Sequence, residues 1–395
     1  MKFLNLLISG ALLLLTLRVE AVTHFVNASN PTPVPPYTGW STAAMNIQDA
    51  VDVALTGDTV LVTNGLYQSG GNSDLGSNRV GVVTPGITIQ SVNGPAATII
   101  KGYCVPGTTN GASAIRCVKL TDSSTLAGFT LTGGATQSSG AGGYGGGVYA
   151  GPGCVVSNCV ISGNAAGVSG GGCFGTNTSV LEQCVISGNW ATSLGGGVGT
   201  FLYSARCSVN HCLIANNYSA SGGGIVYCNA SDSLFTGNGS TNSSGGTSGG
   251  AAYFSTLNNC TITGNFSRGR GAAEGCTLVN SIIFYNFNNG YADCYQCQLT
   301  NCCTTLGLGN STMPNNSISN APAFVDLAHG DFHLQVFSPC LNAGTNLYVT
   351  SATDLDGNPR IVNDRVDMGA YENQNTNPVH FVWVSNAVPV APFTN

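Results

Sequence analysis

Short runs of alternating apolar and polar residues recur through the middle of the chain, and each run ends on an asparagine. They read C-V-I-S-G-N twice, then C-L-I-A-N-N, S-L-F-T-G-N, C-T-I-T-G-N and S-I-I-F-Y-N, and they begin at Cys159, Cys184, Cys212, Ser233, Cys260 and Ser281. The steps between the closing asparagines are 25, 28, 21, 27 and 21 positions. Self-similarity at a period of roughly 20–30 residues is the signature of a solenoid, in which each repeat packs on its neighbours.

Each repeat contains two short strands and a glycine run, which together predict the path of one coil. Alternation places Cys159 and Ile161 on one side of a strand and Val160 and Ser162 on the other. A second strand precedes each run, as at 155–156. Glycine runs recur at the same spacing, at 145–147, 170–172, 195–197 and 222–224. Short strands that stack in parallel with glycine turns between them predict an all-β fold, a right-handed parallel β-helix.

Two columns of repeated side chains are explained by stacking rather than by chemistry. Asparagine tolerates the left-handed conformation of a tight corner, and amides stacked one coil apart can hydrogen-bond along the column. We therefore expect a structural ladder at Asn164, Asn189, Asn217, Asn238, Asn265 and Asn286. Serine replaces cysteine at 233 and 281, which indicates a small buried position, so we expect mostly free thiols among the 16 cysteines. Neighbouring coils are nevertheless only about 4.8 Å apart, a separation that a disulfide tolerates, so the sequence does not exclude some disulfides.

The N-terminal part of the mature chain follows a different pattern. After a short strand and a proline-rich turn, residues 43–55 have a helical spacing that places Ile47, Val51 and Leu55 on one face. Such a helix would cover the open end of the solenoid core, where an uncapped coil exposes its backbone edges. We expect the stack of strands itself to begin with Val80–Val83.

Motifs in the C-terminal part carry a resemblance to known families. S-P-C-L-N-A-G at 338–344, D-L-D-G-N-P-R at 354–360 and V-D-M-G-A-Y-E at 366–372 resemble the choice-of-anchor Q domain of bacterial exported β-helix proteins. The coil pattern resembles the pectin-lyase-like superfamily, and its alternation of G-G-G-[VI] with I-x-G-N is similar to the repeats of polymorphic outer membrane proteins. The resemblance covers nearly all of the mature chain and implies an exported parallel β-helix.

The last residues repeat the beginning of the mature chain. Nine residues between His380 and Thr394 are identical to the residues 356 positions earlier. We therefore interpret the chain as one unit of a tandem array or as a truncated reading frame. The predicted divisions are a signal peptide at 1–21, an N-terminal strand and helix cap at 22–78, the parallel β-helix at 79–320, a C-terminal cap at 321–373 and the tail at 374–395.

Composition and the N-terminal residues limit the classes of partner and the cellular location that we expect for this protein. Only 7% of the 395 residues are charged and the net charge is −6, which argues against nucleic acid and anionic membranes as partners. Lys2, the apolar stretch Leu4–Leu17 and the small residues Val19 and Ala21 form a secretory signal peptide. No later stretch is long and apolar enough to span a bilayer, so we expect no transmembrane segment after signal cleavage. The sequence predicts a secreted protein or one at the outer cell surface.

One acidic segment is a weak candidate for calcium binding. Asp354 and Asp356 in D-L-D-G-N match the start of a calcium loop, but no acidic residue stands where the final bidentate ligand belongs. The alternative, which we favour, is a structural cap in which Arg360 pairs with Asp367 or Glu372. We expect no other metal and no organic cofactor.

Catalytic candidates are few because the coils carry little charge. The lyases that the chain resembles hold Ca²⁺ with acidic residues and use Arg or Lys as a base, and the related hydrolases use a group of Asp residues. Here no acidic pair recurs at the coil spacing between 123 and 310. Arg268 and Asp293 are 25 positions apart, close to one coil, with Arg270 and Glu274 between them. This set could hold an anionic sugar with Arg as base, or it could be a surface salt-bridge group.

Three functions remain open. We favour an exported, non-catalytic surface protein that binds polysaccharide or a cell-surface glycan through a long, aromatic-rich face. The second hypothesis is a polysaccharide lyase or glycoside hydrolase that acts on acidic polysaccharide, and the third is a structural spacer in a tandem surface array. We expect His211 to be a polar ladder residue rather than a general base, because it shares its column with Asn158, Gln183, Asp232, Asn259 and Asn280.

Overall fold

The chain winds into a right-handed parallel β-helix, which confirms the predicted fold class. The computed structural model describes residues 20–201, 206–242, 248–287, 292–305, 311 and 316–376. Each coil passes through three long parallel sheets, here called A, B and C, and a short corner sheet D lies between B and C in the middle coils. This path has the right-handed sense that parallel connections almost always take.

The described strands stack in register within each sheet. Sheet A contains Thr23–Val26, Thr59–Val62, Thr88–Ser91, Thr125–Ala127, Val155–Ser157, Val180–Glu182, Ser208–Asn210, Asn229–Ser231, Thr256–Asn258, Thr277–Val279 and Gln298–Thr300. Sheet B contains Gly65–Tyr67, Thr98–Lys101, Thr130–Thr132, Val160–Ser162, Val185–Ser187, Leu213–Ala215, Leu234–Thr236, Thr261–Thr263, Ile282–Ile283 and Cys303–Thr304. Sheet C contains Ser77–Gly81, Ile115–Leu120, Val148–Ala150, Cys173–Gly175, Val198–Gly199, Ile225–Val226, Ala252–Tyr253, Ala273–Glu274 and Cys294–Tyr295. Sheet D contains Ala165–Ala166, Trp190–Ala191, Tyr218–Ser219, Gly239–Ser240 and Phe266–Ser267.

The interior of the coils is filled by alternate side chains of each strand. Cys159 and Ile161 are almost completely buried, whereas Val160 and Ser162 on the other side are half-exposed. Ile161 pairs in register with Leu131 and Ile186 of the neighbouring coils, so one apolar column continues along the axis. The predicted alternation is therefore confirmed, and fifteen of the sixteen cysteines are buried.

The asparagine column forms the predicted ladder. The amide nitrogen of Asn217 donates to the carbonyl oxygen of Ile186 at 2.8 Å and to the side-chain oxygen of Asn238 at 2.9 Å. Its own side-chain oxygen accepts from the main-chain nitrogen of Asn189 at 3.0 Å and from the amide of that residue at 2.9 Å. These bonds satisfy a fully buried amide and fix the corner that follows sheet B.

The N-terminal helix is shorter than the sequence predicts. It spans Ile47–Val53, and the side chain of Asn46 accepts a hydrogen bond from the main-chain nitrogen of Asp49 at its start. Ile47 and Val51 are buried in the core as expected. Leu55 was expected on the same face, but it is 59% exposed, because the helix has ended and Ala54 is already extended.

Parallel stacking begins earlier than the predicted start at Val80–Val83. Thr23–Val26 already pairs with Thr59–Val62, and the latter pairs with Thr88–Ser91. The proline-rich turn and the helix are therefore an insertion between two coils of sheet A. The first coils lack the C-x-I-x-G-N pattern, which is why sequence repetition did not reveal them.

The C-terminal segment, residues 321–373, packs along the outer face of sheet B. It contains an antiparallel hairpin, Phe324–Asp326 with Asp331–Leu334, and a 3₁₀ helix at Asn346–Tyr348. Its apolar side chains form a second buried cluster with the outward residues of sheet B, which consists of Leu234, Ile282, Cys303, Phe324, Phe332, Leu334, Cys340 and Met368. The segment therefore covers the flank of several successive coils.

A column of turn residues between sheets A and B holds this segment. The column has φ between 48° and 53° throughout and consists of Asn158, Gln183, His211, Asp232, Asn259, Asn280 and Asn301. The last five contact the C-terminal segment. Asp232 forms an ion pair with Arg360. The other four form hydrogen bonds with main-chain carbonyl oxygens: His211 Nε2 with Thr353 O at 3.1 Å, Asn259 with Asp367 O at 3.3 Å, Asn280 with Thr345 O at 2.9 Å and Asn301 with Ala343 O at 3.2 Å. The left-handed turn thus gives each coil one outward polar side chain for docking.

The carboxylate that pairs with Arg360 belongs to the coil and not to the C-terminal segment, which corrects the sequence prediction. Its Nε lies 3.3 Å from Oδ1 of Asp232, and both side chains are almost completely buried. Of its two predicted partners, Asp367 accepts only through its main-chain oxygen, at 3.3 Å from Nη2. Both oxygens of Glu372 instead accept main-chain N–H groups, from Val362 and from Asp367.

Two predicted parts of the chain lie largely outside the described residues. These are residues 1–19 of the predicted signal peptide and all but the first three residues of the tail at 374–395. Within the described part of the chain, no helix is long and apolar enough to cross a membrane.

Candidate functional site

Four exposed aromatic side chains form a line along the outside of the coils. Trp190 pairs in register with Tyr218, Tyr218 with Gly239, and Gly239 with Phe266. A further bridge joins Phe266 to Phe287. The exposed fractions are 42% for Trp190, 42% for Tyr218, 40% for Phe266 and 67% for Phe287. At about 4.8 Å per coil, this aromatic stripe is about 19 Å long and runs parallel to the solenoid axis.

The asparagine ladder positions the stripe. Each aromatic residue directly follows a ladder asparagine, whose side chain points inward, so the next residue points outward. Within the stripe, one coil carries glycine instead of an aromatic residue. A Cβ atom at Gly239 would lie 2.5 Å from Cε1 and 2.6 Å from Cδ1 of Tyr218, so the Tyr218 ring occupies the space above Gly239. The missing side chain therefore allows the ring to lie across the gap in the stripe.

Polar groups line one side of the stripe. Two residues after Trp190, Gly239 and Phe266 the chain points outward again, and Thr192, Thr241 and Arg268 are exposed there. The main-chain nitrogen of Thr241 donates to the carbonyl oxygen of Ser219, and that of Arg268 donates to the carbonyl oxygen of Ser240, which places them in the same column. The stripe thus combines apolar ring faces with neighbouring hydroxyl groups and one cation.

The structure separates Arg268 from the other three residues of the predicted charged set. Arg268 is exposed beside Phe266, and its side chain makes no hydrogen bond or ion pair within the described residues. The main-chain oxygen of Asp293 accepts a hydrogen bond from the nitrogen of Ala272 at 2.8 Å, so these two residues are neighbours in adjacent coils. One coil here runs from Ala273 to its register partner Cys294, which is shorter than the step from Arg268 to Asp293. The two residues are therefore not stacked on each other as their spacing suggested.

Arg270 and Glu274 form a structural contact on sheet C. Arg270 Nη1 lies 3.7 Å from Glu274 Oε1, and the guanidinium lies 4.5 Å from the ring centre of Tyr295. Glu274 is almost completely buried, and its Oε2 accepts from the main-chain nitrogen of Ser248 at 2.7 Å. Burial raises the pKa of Glu274. Asp293 is also buried and accepts from the hydroxyl of Thr305 at 3.1 Å. These carboxylates are engaged in the fold and do not face the stripe.

The calcium candidates are occupied by protein contacts. Oδ1 of Asp354 accepts from the main-chain nitrogens of Asp356 and Asn358, and Oδ2 accepts from that of Glu372. Oδ2 of Asp356 lies 2.7 Å from Nε2 of His333. The two carboxylates therefore do not offer Ca²⁺ a shared set of ligands, and no cluster of three or more His, Cys, Asp or Glu side chains suited to a metal occurs in the described residues.

Glu182, His211 and Ser351 are connected in the same order as the acid, histidine and serine of a hydrolase triad. Nδ1 of His211 is 2.8 Å from Glu182 Oε1 and its Nε2 is 3.1 Å from Ser351 Oγ. However, Nε2 is also 3.1 Å from the carbonyl oxygen of Thr353, which can only accept, so Nε2 carries a proton. Burial lowers the pKa of His211, but the bonds to Thr353 and Glu182 outweigh it and the pKa is raised. A protonated Nε2 cannot take the serine proton, and His211 serves docking instead.

A cleft opens beside His211 where the C-terminal segment leaves sheet B. It has a volume of about 330 Å³ and is lined by Gln183, Cys184, Val185, His211, Leu213, Leu234, Leu355 and Tyr371. Its walls are mainly apolar, and it is enclosed by two parts of the chain rather than extended along the axis. The stripe is therefore the surface of the described molecule that best suits a long chain-like ligand.

Sequence reasoning expected an aromatic-rich face but did not identify its residues. Its signal was present, because an aromatic residue directly follows the ladder asparagine in N-W at 189–190, N-Y at 217–218, and N-F at 265–266 and 286–287. Reading these pairs as one surface requires knowing that the asparagine points inward in every coil. That alignment became visible only with the register of sheet D.

Comparison with known proteins supports the fold. No protein-family model matches the chain, and no curated protein matches it. The crystal structure of pectate lyase Pel9A is similar, with a TM-score of 0.60 and 14% identity over 89% of this chain and 96% of that chain. An alginate lyase from Paenibacillus sp. str. FPU-7 gives a TM-score of 0.31 and 14% identity over 68% of this chain and 96% of that chain. At this identity the similarity to Pel9A shows the shared parallel β-helix fold.

Proposed function

We propose that this protein is an exported, non-catalytic β-helix that binds polysaccharide along the aromatic stripe. The observation that carries the proposal is the in-register exposure of Trp190, Tyr218, Phe266 and Phe287. Sugar rings present apolar C–H faces that pack on aromatic rings, while their hydroxyl groups bond to polar groups nearby. Exposed aromatic side chains aligned over several coils indicate a ligand that is itself long and repetitive.

The surroundings of the stripe support binding without turnover. Glycosidic bond cleavage by a hydrolase requires two carboxyl groups placed on either side of the bond. Glu274 and Asp293, the acidic residues that the sequence offered, are buried and bonded within the fold. The exposed polar groups beside the rings are hydroxyls and the guanidinium of Arg268, which suit binding of sugar hydroxyls or of an acidic substituent.

The second candidate function is a lyase that acts on acidic polysaccharide. The observation in its favour is the exposed guanidinium of Arg268 beside Phe266, since an arginine could serve as the base. The third, a structural spacer in a tandem array, requires no ligand at the stripe. We retain both as outcomes of the experiment below.

The finer assignments rest on sequence motifs. We propose that residues 321–373 are a domain of the choice-of-anchor Q type, on the motifs at 338–344, 354–360 and 366–372, and that the coils are of the polymorphic outer membrane protein type. Export to the exterior or to the outer cell surface rests on the signal-like residues 1–21. Calcium is not required by the proposal, and the experiment below tests its effect by adding Ca²⁺.

The test is binding and turnover on a panel of neutral and acidic polysaccharides, with and without Ca²⁺. Trp190→Ala, Tyr218→Ala and Phe266→Ala should each weaken binding about tenfold, which corresponds to ~1.4 kcal/mol. Tyr348→Ala is the matched control, because Tyr348 is 45% exposed and lies in the 3₁₀ helix of the C-terminal segment, where its carbonyl oxygen accepts from Asn258 of sheet A. Unchanged binding by all three stripe variants would overturn the proposed surface. Release of unsaturated sugars that Arg268→Ala abolishes would establish the lyase, and neither binding nor turnover would favour the spacer.

A further inference from the structure

Cys303 differs from the cysteines of the coil core in the direction of its side chain. It pairs in register with Ile282, in the first position of a sheet B strand. This position forms the outward column of sheet B, which includes Val185, Leu213 and Leu234 in earlier coils. Cys303 therefore faces the docked C-terminal segment, whereas the repeated cysteines such as Cys184 face the interior of the coil.

The partner that faces Cys303 is Cys340 of the C-terminal segment. Both thiols are fully buried and belong to the same apolar cluster as Ile282 and Met368. The thiol of Cys303 donates to the carbonyl oxygen of Asn320 at 3.2 Å. The neighbouring Cys303 thiol, together with burial, raises the pKa of Cys340. Cys340 is held in place by the hydrogen bond from its main-chain nitrogen to the hydroxyl of Ser338 and by that from the nitrogen of Met368 to its carbonyl oxygen.

Stacked cysteines of neighbouring coils do not have the geometry of a disulfide. These cysteines form two columns, and each lies one residue before a strand that pairs in register with the strand of the next coil. One column contains Cys159, Cys184 and Cys212, and the other contains Cys207 with Cys228 and Cys276 with Cys297. Parallel neighbours hold their side chains parallel at about 4.8 Å, whereas a disulfide needs Cβ atoms about 3.5–4.5 Å apart. Cys303 and Cys340 come from separate elements, so the spacing of stacked coils does not set the distance between their Cβ atoms.

We propose that Cys303 and Cys340 form a disulfide that ties the C-terminal segment to the last described coil. The proposal rests on the proposed export, because an exported protein meets an oxidising environment. The two thiols lose two protons and two electrons, an S–S bond forms, and a small-molecule or protein disulfide is reduced to two thiols. The bond closes a loop between residues 37 positions apart and holds the segment over sheet B.

Cys294 and Cys297 are the competing pair. They lie three residues apart at one corner of a coil and are not stacked on each other, and the neighbouring Cys297 thiol raises the pKa of Cys294. Burial and the stacked thiol of Cys297 also raise the pKa of Cys276. A bridge within this corner would leave the C-terminal segment untied, so the two pairings have different consequences and can be told apart.

The test uses the folded full chain after incubation with glutathione disulfide. Thiols are then alkylated under denaturing conditions, and the protein is analysed by intact mass and non-reducing peptide mapping. We expect fourteen of the sixteen cysteines to be alkylated and the peptides that contain Cys303 and Cys340 to be linked. Sixteen alkylated cysteines, or a link at Cys294–Cys297 in place of this one, would overturn the proposal.

Variants provide a second readout. Cys303→Ser and Cys340→Ser should each show fifteen alkylated thiols, because one cysteine is replaced and its partner is freed, and should release the C-terminal segment earlier in limited proteolysis than the oxidised parent. Cys212→Ser is the matched control, because Cys212 lies in a column where serine occurs naturally, and it should keep the linked peptide pair. Since no step uses a glycan, failure of the disulfide leaves the proposed binding function untouched. If a variant does not fold, the peptide map of the parent decides alone.

Discussion

The guanidinium of Arg360 lies 3.3 Å from the carboxylate of Asp232, and the two side chains are only 1% and 3% exposed. This contact joins the C-terminal segment to the β-helix. Burial raises the pKa of Asp232 to about 6, although Arg360 and His211 both favour its charged form. The desolvation of the pair is therefore not fully offset by their attraction, and the contact specifies where the segment docks.

Removing the cation from this pair should strongly destabilise the docked segment. Arg360→Met leaves Asp232 buried without its partner, which typically costs about 3–5 kcal/mol. Urea unfolding at pH 7, followed by fluorescence and by limited proteolysis, measures the loss. At pH 5 the loss should be smaller, because Asp232 then accepts a proton and no uncompensated charge remains.

The control for this prediction is Arg365→Met. Arg365 is exposed and donates to the carbonyl oxygen of Gly344, so its loss should change stability by less than about 1 kcal/mol. The double variant Asp232→Asn with Arg360→Met should be less destabilised than the sum of the single variants. Additive losses would mean that the two side chains act independently and that the pair does not hold the segment.

The sequence predicted the coils well because their period repeats the same physical requirement. Every C-x-I-x-G-N run needs a small inward residue, an apolar inward residue and an asparagine corner, so the columns of Cys159, Ile161 and Asn164 could be read directly. Leu55 was misplaced because a helical spacing does not show where a short helix ends. The first coils were missed because their strands carry no repeated corner.

The contacts between distant parts of the chain could not be read in this way. Arg360 was assigned to nearby Asp367 or Glu372, yet its partner Asp232 belongs to a coil in the middle of the solenoid. Spacing along the chain contains no information on which turn of the coil a later segment covers. For a related reason Arg268 and Asp293 are not stacked as their spacing suggested, since coil lengths vary and the local coil is shorter than the spacing between them.

Stability should fall as the pH rises from about 4 to 8. Burial raises the pKa of Asp232 and Asp367 to about 6 and that of Glu372 to about 8. A carboxyl group with a higher pKa in the folded state binds its proton more tightly when folded, so raising the pH through this window costs stability. His211 acts in the same direction, because its raised pKa means that its charged form stabilises the fold and is lost at higher pH. Thermal unfolding at pH 5 and pH 8.5 measures the difference.

Glu372→Gln isolates one part of this pH dependence. Glutamine keeps a side-chain oxygen that can accept from the main-chain nitrogen of Val362 or Asp367, but it does not titrate. The variant should lose less stability than the parent between pH 6 and pH 8.5. An equal loss in both proteins would show that Glu372 does not contribute, and an increase of stability with pH would contradict the direction for the whole group.

The asparagine ladder should be a major source of stability. Asn217→Ala removes the amide that satisfies Ile186 O and the acceptor used by Asn189, and leaving such buried groups unpaired costs about 3 kcal/mol. Asn216→Gly is the matched control, because Asn216 is exposed and has a φ of 54° that glycine also adopts. Its effect should stay within about 0.5 kcal/mol. Equal effects of the two substitutions in urea unfolding would argue against the ladder.

Gly239→Ala should weaken polysaccharide binding without touching an aromatic residue. The new methyl group would lie 2.5 Å from Cε1 of Tyr218, so the ring must leave its position across the gap in the stripe. No left-handed backbone strain is involved at this position, and the fold should keep its stability within about 1 kcal/mol. We expect a loss of affinity close to that of Tyr218→Ala, roughly tenfold or ~1.4 kcal/mol. In a Tyr218→Ala background the same substitution should have no further effect, because the ring it displaces is absent. Affinity measurements on the four proteins of this cycle distinguish a positioned ring from a general loss of surface, since a general loss would make the two effects additive.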